Sequence, residues 1–463
     1  MQLADRHVLV LGLGESGLAM ALWCARAGAC VRVADTRAAP PGREQLAAAG
    51  SGVELLCGAF VPALLDGVDL VLVSPGLPLY EPVVKRALER GLQVTSEIEL
   101  FARALDQLDW RRDAKIIAIT GTNGKTTTTA LAGAMLAAAG LQTEVAGNIS
   151  PAALTALMAA LDAGRRPRAW ALELSSFQLE TAPSLECDAA VVLNVSDDHL
   201  DRYSGLDDYA ATKARIYDHA AVQVINRNDA RAAALARTGR PVLSFGLDAA
   251  PGANDFGVIE QGGKLWLARG REPLLALSDL QLAGSHNVAN AAAALALTSA
   301  CGLPFAPLVG ALKQFRGLPH RVEFVAAVHG VDYYDDSKGT NVGATLAAVE
   351  GMGRPLVVIA GGDGKGQDFA PLGPALAQHA RRVLLIGRDA ATIGGVLTAH
   401  GVAHQTATDL PQAVALAAAA ARPGDAVLLS PACASLDMFR NYAHRAQVFI
   451  DAVHALARAG EQA

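Results

Sequence analysis

Short, continuously apolar runs recur along the chain. Each is followed by a glycine-rich or polar corner and then by a longer stretch rich in Ala and Leu. Unbroken apolarity, rather than alternation, marks strands buried on both faces, so the pattern predicts parallel sheets covered by helices. Strands are expected at His7 to Leu11, Val31 to Ala34, Leu70 to Val73 and around Leu92 to Thr95. A second group falls at Lys115 to Ile119, Trp170 to Leu174 and Ala189 to Val195. A third follows at Val331 to Asp335, Pro355 to Ala360, Val383 to Ile386 and Ala426 to Leu429. Between positions 222 and 284, strand-like pieces alternate with Gly and Pro turns, which predicts an antiparallel annex to the central sheet. The Ala-rich run at 413–421 stops before Pro423-Gly424 and reads as a core helix.

At 463 residues the chain is too long for one typical core, and two to four domains are expected. The charged stretch DQLDWRRDAK (106–115) reads as a first linker and FRGLPHR (315–321) as a second boundary. A net charge of −6 gives no reason to expect nucleic-acid or membrane binding. MQLADRHVLV has no long apolar core before a cleavage site, so a secretory leader is not expected, and no apolar run is long enough to span a bilayer. The six cysteines lack C-x-x-C spacing, which favours reduced, buried thiols in a cytoplasmic protein.

The corners carry the chemistry. KIIAITGTNGKTTTTAL (115–131) is a strand, a flexible turn and a helix start, the arrangement in which backbone N–H groups and the helix dipole meet a phosphate. Lys125 is placed to reach the outer phosphates and the Thr126 hydroxyl to meet Mg²⁺. The standard Walker pattern wants glycine where Ile119 stands, so the match is to a shorter variant, GTNGKT. An ordinary βα turn is the plainer alternative. Gly12-Leu13-Gly14-Glu15-Ser16-Gly17 is G-x-G-x-x-G in context, with Asp35 closing the next strand. This supports an NAD(P)-dependent oxidoreductase as a rival, although the glycines need only mean close approach to some phosphate. Ser74-Pro75-Gly76 lies where α/β sheets place ligands, and a plain turn explains it equally well.

Glu173 sits among apolar neighbours at a strand end, and Ser196-Asp197-Asp198-His199 ends another. Acidic strand ends in phosphate-loop folds are the usual place for a Mg²⁺ ligand. Lys213 lies in a helical segment, 207–219, where spacing alone favours a solvated side chain. Asn287 and Asn290 share a helix face and suit either capping or a heterocycle. In the last third, DDSKGTN (335–341), GGDGKG (361–366) and SPACAS (430–435) are small-residue corners before helices, two of them with a lysine, suited to holding a carboxylate.

Together GTNGKTT, LELSSFQLE, NVSDDHLDRY, GSHNVANAAAAL, GLPHRVE and DDSKGTN resemble the Mur ligase family of ATP-dependent amide-bond-forming enzymes. The resemblance implies an α/β chain of three domains. These are an N-terminal Rossmann-like unit for a UDP-sugar (1–105), a central P-loop-type ATPase with a mainly parallel sheet (106–317) and a C-terminal Rossmann-like unit for an amino acid (318–463). LGLGESG, DTR and SPACASLDMF further imply UDP-N-acetylmuramoyl-L-alanine and D-glutamate as substrates, joined through an acyl phosphate in cytoplasmic peptidoglycan precursor synthesis.

On this resemblance Gly14, Ser16, Gly17, Asp35, Thr36, Arg37, Ser74 and Asn148 hold the UDP-substrate. Gly121, Thr122, Asn123, Gly124, Lys125, Thr126, Thr127, Asn287, Asn290, Arg321 and Asp336 hold ATP. Two Mg²⁺ ions fall to Thr126, Glu173, His199 and Lys213, the last carbamylated by CO₂. Lys338, Thr340, Lys365, Ser435, Leu436 and Tyr442 hold D-glutamate. Lys125, Glu173, His199 and Lys213 are the expected catalytic set, and the chain is expected to act as a monomer. A non-catalytic nucleotide-binding regulator would need neither the Mg²⁺ ligands nor the anion loops of the last domain.

Overall fold

The computed structural model describes residues 2–50, 52–198 and 202–461. Three sheets follow one another along the chain, in two compact units. One unit comprises Met1–Ala276 with Asn290–Lys313, the other Leu277–Ala289 with Gln314–Ala463.

In the first unit, five parallel strands run in the order Glu54–Cys57, Cys30–Asp35, His7–Leu11, Leu70–Val73 and Gln93–Thr95. The order reverses beside His7–Leu11, which puts the Gly12–Gly17 corner at the switch point where such sheets open a crevice. The nine-stranded sheet has Lys115–Thr120 third from one edge, flanked by Cys187–Val192 and Ala169–Glu173, with Thr143–Gly147 at that edge. Its other wing continues through Ala220–Asn226, Val242–Phe245, Phe256–Gln261, Lys264–Arg269 and Glu272–Ala276. The expected antiparallel annex is smaller than the turn pattern implied. Ala220–Asn226 and Val242–Phe245 are parallel members of the main sheet, and the antiparallel hydrogen bonding begins between Phe256–Gln261 and Lys264–Arg269. Only there do two-residue turns leave no room for a crossover.

Helices Glu15–Arg26, Glu97–Gln107 and Ala153–Asp162 pack between the first two sheets, and Met20, Phe101, Leu157 and Trp170 share one core. Trp170 meets Phe101 edge-on at 4.8 Å between ring centroids.

The second unit's sheet runs Glu323–Val328, Val331–Asp335, Ala426–Leu429, Leu356–Gly361, Ala380–Ile386 and His404–Thr406. Its first pair is antiparallel and the rest parallel. The Ala-rich run forms the helix Leu410–Ala420. All six cysteines are free; Cys30 and Cys57 are exposed, against the expectation that all would be buried. Cys30 opens an inner strand and Cys57 closes the edge strand Glu54–Cys57, and both are strand-end residues that escape helical cover. Among the described residues no helix is long and apolar enough to cross a membrane.

Candidate active site

The phosphate loop leaves the buried strand Lys115–Thr120 and enters the helix Lys125–Ala138. Two of its glycines are forced by space as well as by backbone. A Cβ on Gly124, at φ +84°, would stand 2.4 Å from Asn290 Oδ1, and one on Gly121 would stand 2.9 Å from Leu193 Cβ. Asn194, at the end of the neighbouring strand, pins the loop from both sides. It accepts the Asn123 amide at its Oδ1 (2.8 Å) and donates from Nδ2 to the Asn123 carbonyl (3.0 Å). Thr122 Oγ1 lies 3.4 Å from Tyr209 Oη, and Lys125 Nζ donates to the carbonyls of Gly121 and Thr122 at 2.9 and 2.8 Å. Thr126 and Thr127 follow in the first helical turn, Thr127 buried.

Glu173 ends the strand beside the loop, in register with Ile119. Its Oε1 accepts Asn148 Nδ2 at 2.7 Å, while its buried Oε2 has no partner among the described residues. An orphaned carboxylate oxygen next to a phosphate loop suits a hard divalent cation, which takes oxygen ligands and neutralises the charge. The donor set therefore fits Mg²⁺.

Lys213 departs from what its local spacing favours. It is 1% exposed, its Nζ donates to the Gly121 carbonyl at 2.9 Å, and it sits 4.3 Å from the Tyr209 ring centroid. Burial, with repulsion from Lys125 second, pushes its ammonium well below the usual lysine range. Periodicity could not show this, because the helix Leu206–Ala214 turns a polar position inward against the phosphate loop. His199 lies outside the described residues.

At the first sheet's crevice, Gly12 has φ +86°, and a Cβ on Gly17 would fall 1.9 Å from the Gly12 carbonyl oxygen. One on Gly14 would meet nothing within 4 Å, so its side faces open space. Ser16 lies in the first turn of the helix Glu15–Arg26. The Ser74 hydroxyl donates back to Gly12 O at 3.0 Å. Asp35 accepts the Leu13 amide at 2.7 Å and Arg37 in a two-pronged pair at 2.8 and 2.6 Å. Arg37 above all holds the Asp35 carboxyl down at about 2. Thr36 is exposed beside them.

In the second unit the three predicted corners meet. Ala432 N–H reaches Gly339 O at 3.0 Å, and Asp363 and Ala434 exchange two backbone hydrogen bonds at 3.0 and 2.9 Å. Lys338 Nζ lies 3.7 Å from the Tyr442 ring centroid, and the Thr340 amide donates to Lys338 O. Ser435 is buried, whereas Leu436 is 68% exposed and Lys365 is exposed at φ +52°. Asp336 accepts Ser430 Oγ at 2.7 Å, and burial pushes its carboxyl up to about 7, against the pull of Arg321. Asn287 Nδ2 donates to Ala283 O at 2.7 Å, and in the first unit Thr128 Oγ1 lies 3.3 Å from Asn290 Oδ1.

Two anchors had escaped sequence reasoning, Asn194 and Arg445. Arg445, fully buried, donates to Ser337 Oγ, Ser337 O and Cys433 O at 3.0, 2.8 and 3.1 Å, joining two of the corners. An arginine in a helix is ordinarily solvated, so no local signal marked it.

A phosphate loop backed by an orphaned carboxylate and a buried lysine, on a chain with two further, mostly parallel sheets, defines an ATP-dependent ligase architecture, and the chain belongs to the Mur ligase family. The N-terminal domain described as Mur ligase MurD-like matches residues 6–96, the Mur ligase middle domain 119–298 and the Mur ligase glutamate ligase domain 320–433. The chain is 58% identical over 458 residues to the UDP-N-acetylmuramoylalanine--D-glutamate ligase of Aromatoleum aromaticum, covering 98% of each. It is 56% identical to the protein of the same name from Dechloromonas aromatica, covering 98% of this chain and all of that one. Among solved structures, MurF of Acinetobacter baumannii aligns at TM-score 0.60 and 19% identity, over 97% of this chain and 91% of that one. The UDP-N-acetylmuramate-alanine ligase of Thermotoga maritima aligns at 0.59 and 20%, over 97% and 99%. At these identities the two structures speak for the three-domain fold.

Proposed function

We propose that this chain joins D-glutamate to UDP-N-acetylmuramoyl-L-alanine with cleavage of ATP to ADP and phosphate, in the cytoplasmic synthesis of peptidoglycan precursors. The full-length likeness to D-glutamate ligases carries this reading. The domains divide at 105/106 and 317/318, and the chain acts as a monomer.

A carboxylate oxygen is a poor leaving group, so the alanyl carboxylate is first phosphorylated by ATP. The neutral D-glutamate amine then attacks the acyl phosphate carbon, one of its N–H protons leaves to solvent, and the tetrahedral adduct expels phosphate as the C–N bond is kept. Two anions must approach first, and catalysis is therefore mostly positioning and charge screening. Lys125 and the loop amides of residues 121–127 bind the β- and γ-phosphates. Thr126 and Glu173 hold one Mg²⁺, and His199 with Lys213 a second. When bound, the ions supply the positive charge that lets phosphate and carboxylate meet. Asn148 orients the substrate beside Glu173.

Lys213 reacts with CO₂ as a carbamate. The neutral amine lone pair forms the N–C bond, one N–H proton leaves to solvent and an oxygen anion results. Burial favours the required neutral amine, and the product replaces a cation that would repel Mg²⁺ with oxygen ligands that suit it. In the N-terminal unit Gly14, Ser16 and Gly17 approach the diphosphate, and Thr36 and Arg37 the uridine end. Asp35 acts there chiefly by fixing Arg37. Lys338, Thr340, Lys365, Ser435, Leu436 and Tyr442 receive D-glutamate, the lysines neutralising its carboxylates.

The test is phosphate release with UDP-N-acetylmuramoyl-L-alanine, ATP and a panel of amino acids. Stimulation by D-glutamate alone is expected; stimulation by L-alanine or a diamino acid instead would overturn the substrate assignment.

A further inference from the structure

Two carboxylates from the N-terminal sheet's helices end on one helix N-terminus of the central sheet. The helix Ala153–Asp162 follows Ala152, and no N-cap side chain of its own satisfies its first amides. A methyl group cannot accept a hydrogen bond, so those donors must find partners elsewhere. Ala152 N–H donates to Glu15 Oε1 at 3.0 Å, and Leu154 N–H to Glu97 Oε1 at 2.6 Å. Glu15 Oε2 also accepts Ser150 Oγ at 2.6 Å.

Glu15 is the first residue of the helix after Gly14, inside the G-x-G-x-x-G corner. Ser150 and Ala152 close the corner that begins with Asn148. That corner is tied on itself by Gly147 N–H to Pro151 O at 3.0 Å. It is tied to the reacting strand by Asn148 N–H to Glu173 O at 2.7 Å. The Asn148 side chain then meets Glu173 Oε1. Hydrogen bonds at both ends of the short 147–152 corner therefore link the N-terminal glycine corner to the orphaned carboxylate of the central sheet.

We propose that Glu15 is a positioning residue for the ligation: by gripping Ser150 and Ala152 it fixes the corner that aims Asn148 at Glu173. Its charge makes a second contribution. A free carboxylate at the start of a diphosphate-binding helix repels its ligand, whereas here the amide of Ala152 and the hydroxyl of Ser150 turn it away and partly neutralise it. The proposal rests on the reading of Gly14 to Gly17 as the diphosphate corner and of Asn148 as the residue that holds the substrate.

Steady-state phosphate release by the full chain tests this, with Glu15→Ala, Glu15→Gln and Asn148→Ala. Glu15→Ala is expected to lower kcat about tenfold to a hundredfold while KM for ATP and for D-glutamate stays close to wild type, the mark of lost orientation. Glu15→Gln keeps an oxygen for Ala152 N–H and an amide for Ser150, and should recover most of the rate. In the Asn148→Ala background, Glu15→Ala should cost nothing further, because the two act through one corner. A full additional loss there would make Glu15 an independent element and overturn the proposal, as would wild-type kcat in Glu15→Ala. Amide exchange separates the two possible failures. Unchanged protection at Asn148 and Ala152 in Glu15→Ala overturns the tie with activity intact, whereas absent D-glutamate-dependent turnover in the wild type overturns the functional reading instead.

Discussion

Lys213 Nζ donates to the carbonyl oxygen of Gly121 across 92 positions of sequence, joining a buried helix lysine to the phosphate loop. An enclosed ammonium loses several kcal/mol of solvation, and the negative charge of Asp198 offsets that only in part. The enclosure is understandable if the side chain works as a neutral amine or its carbamate.

The expected consequence is chemical. Lys213→Ala should lower turnover roughly a thousandfold or more, since it removes charge placed for the transition state. Lys213→Arg should be no better, because a guanidinium keeps its charge and takes up no CO₂. In the Ala variant, acetate or formate should restore part of the rate, and chloride at equal ionic strength should not. A fully active Ala variant in bicarbonate-free buffer would rule the carbamate out.

Lys125 is the second cation of the loop, and its Nζ rests on the Gly121 and Thr122 carbonyls. Removing it as Lys125→Ala should cost about 3–5 kcal/mol of transition-state stabilisation, several orders of magnitude in kcat. It is only partly buried, so the melting temperature should hardly move. Near-normal phosphate release from this variant would remove the phosphate-loop assignment.

Arg445 makes a different prediction because it touches no proposed ligand group directly. Arg445→Met fills similar space but leaves the carbonyls of Ser337 and Cys433 without their donor, at about 1–3 kcal/mol for each buried group. The corners of residues 335–341 and 430–435 should then drift apart. KM for D-glutamate should rise at least about tenfold, while KM for the UDP-substrate, bound in the other unit, stays put. Equal changes in both would show a general loss of fold instead.

The sheets were legible because buried parallel strands need unbroken apolar runs: His7–Leu11, Leu70–Val73, Val331–Asp335 and Ala426–Leu429 fall where the pattern puts them. The corners were legible because phosphate loops require glycine where Gly124 and Gly121 would otherwise strike Asn290 and Leu193. Arg445 and Asn194 were missed, and Lys213 was reached only through the family resemblance, against its local spacing. All three depend on partners far along the chain, and local spacing assigns the two helix residues, Lys213 and Arg445, to solvent by default. The trans-capping by Glu15 and Glu97 left only a negative trace, an Ala at a helix start where Ser, Thr, Asp or Asn is usual.

Glu97 gives the last prediction, on pH and stability. It is fully buried, and burial, with repulsion from Glu15 as a lesser cause, pushes its carboxyl up from 4.5 to about 7. The Leu154 amide offsets part of this, and Oε2 has no partner among the described residues. An acid whose folded value is raised holds its proton longer in the native state than in the unfolded chain. Its share of stability is therefore fully present below about pH 4.5 and falls as pH rises towards 7. Above that it levels off with a loss of about 3 kcal/mol relative to acid pH. Asp336, raised in the same direction, adds a parallel slope, so the test must be a difference. Urea midpoints of wild type and Glu97→Gln, measured from pH 5 to 8, should diverge: the wild type loses stability across that window more steeply than the variant. Gln keeps an acceptor for Leu154 N–H but cannot ionise, so its own constant cost cancels from the slope. Parallel pH profiles would mean that Glu97 is ionised at no cost, and that a group or water near Oε2 compensates its charge.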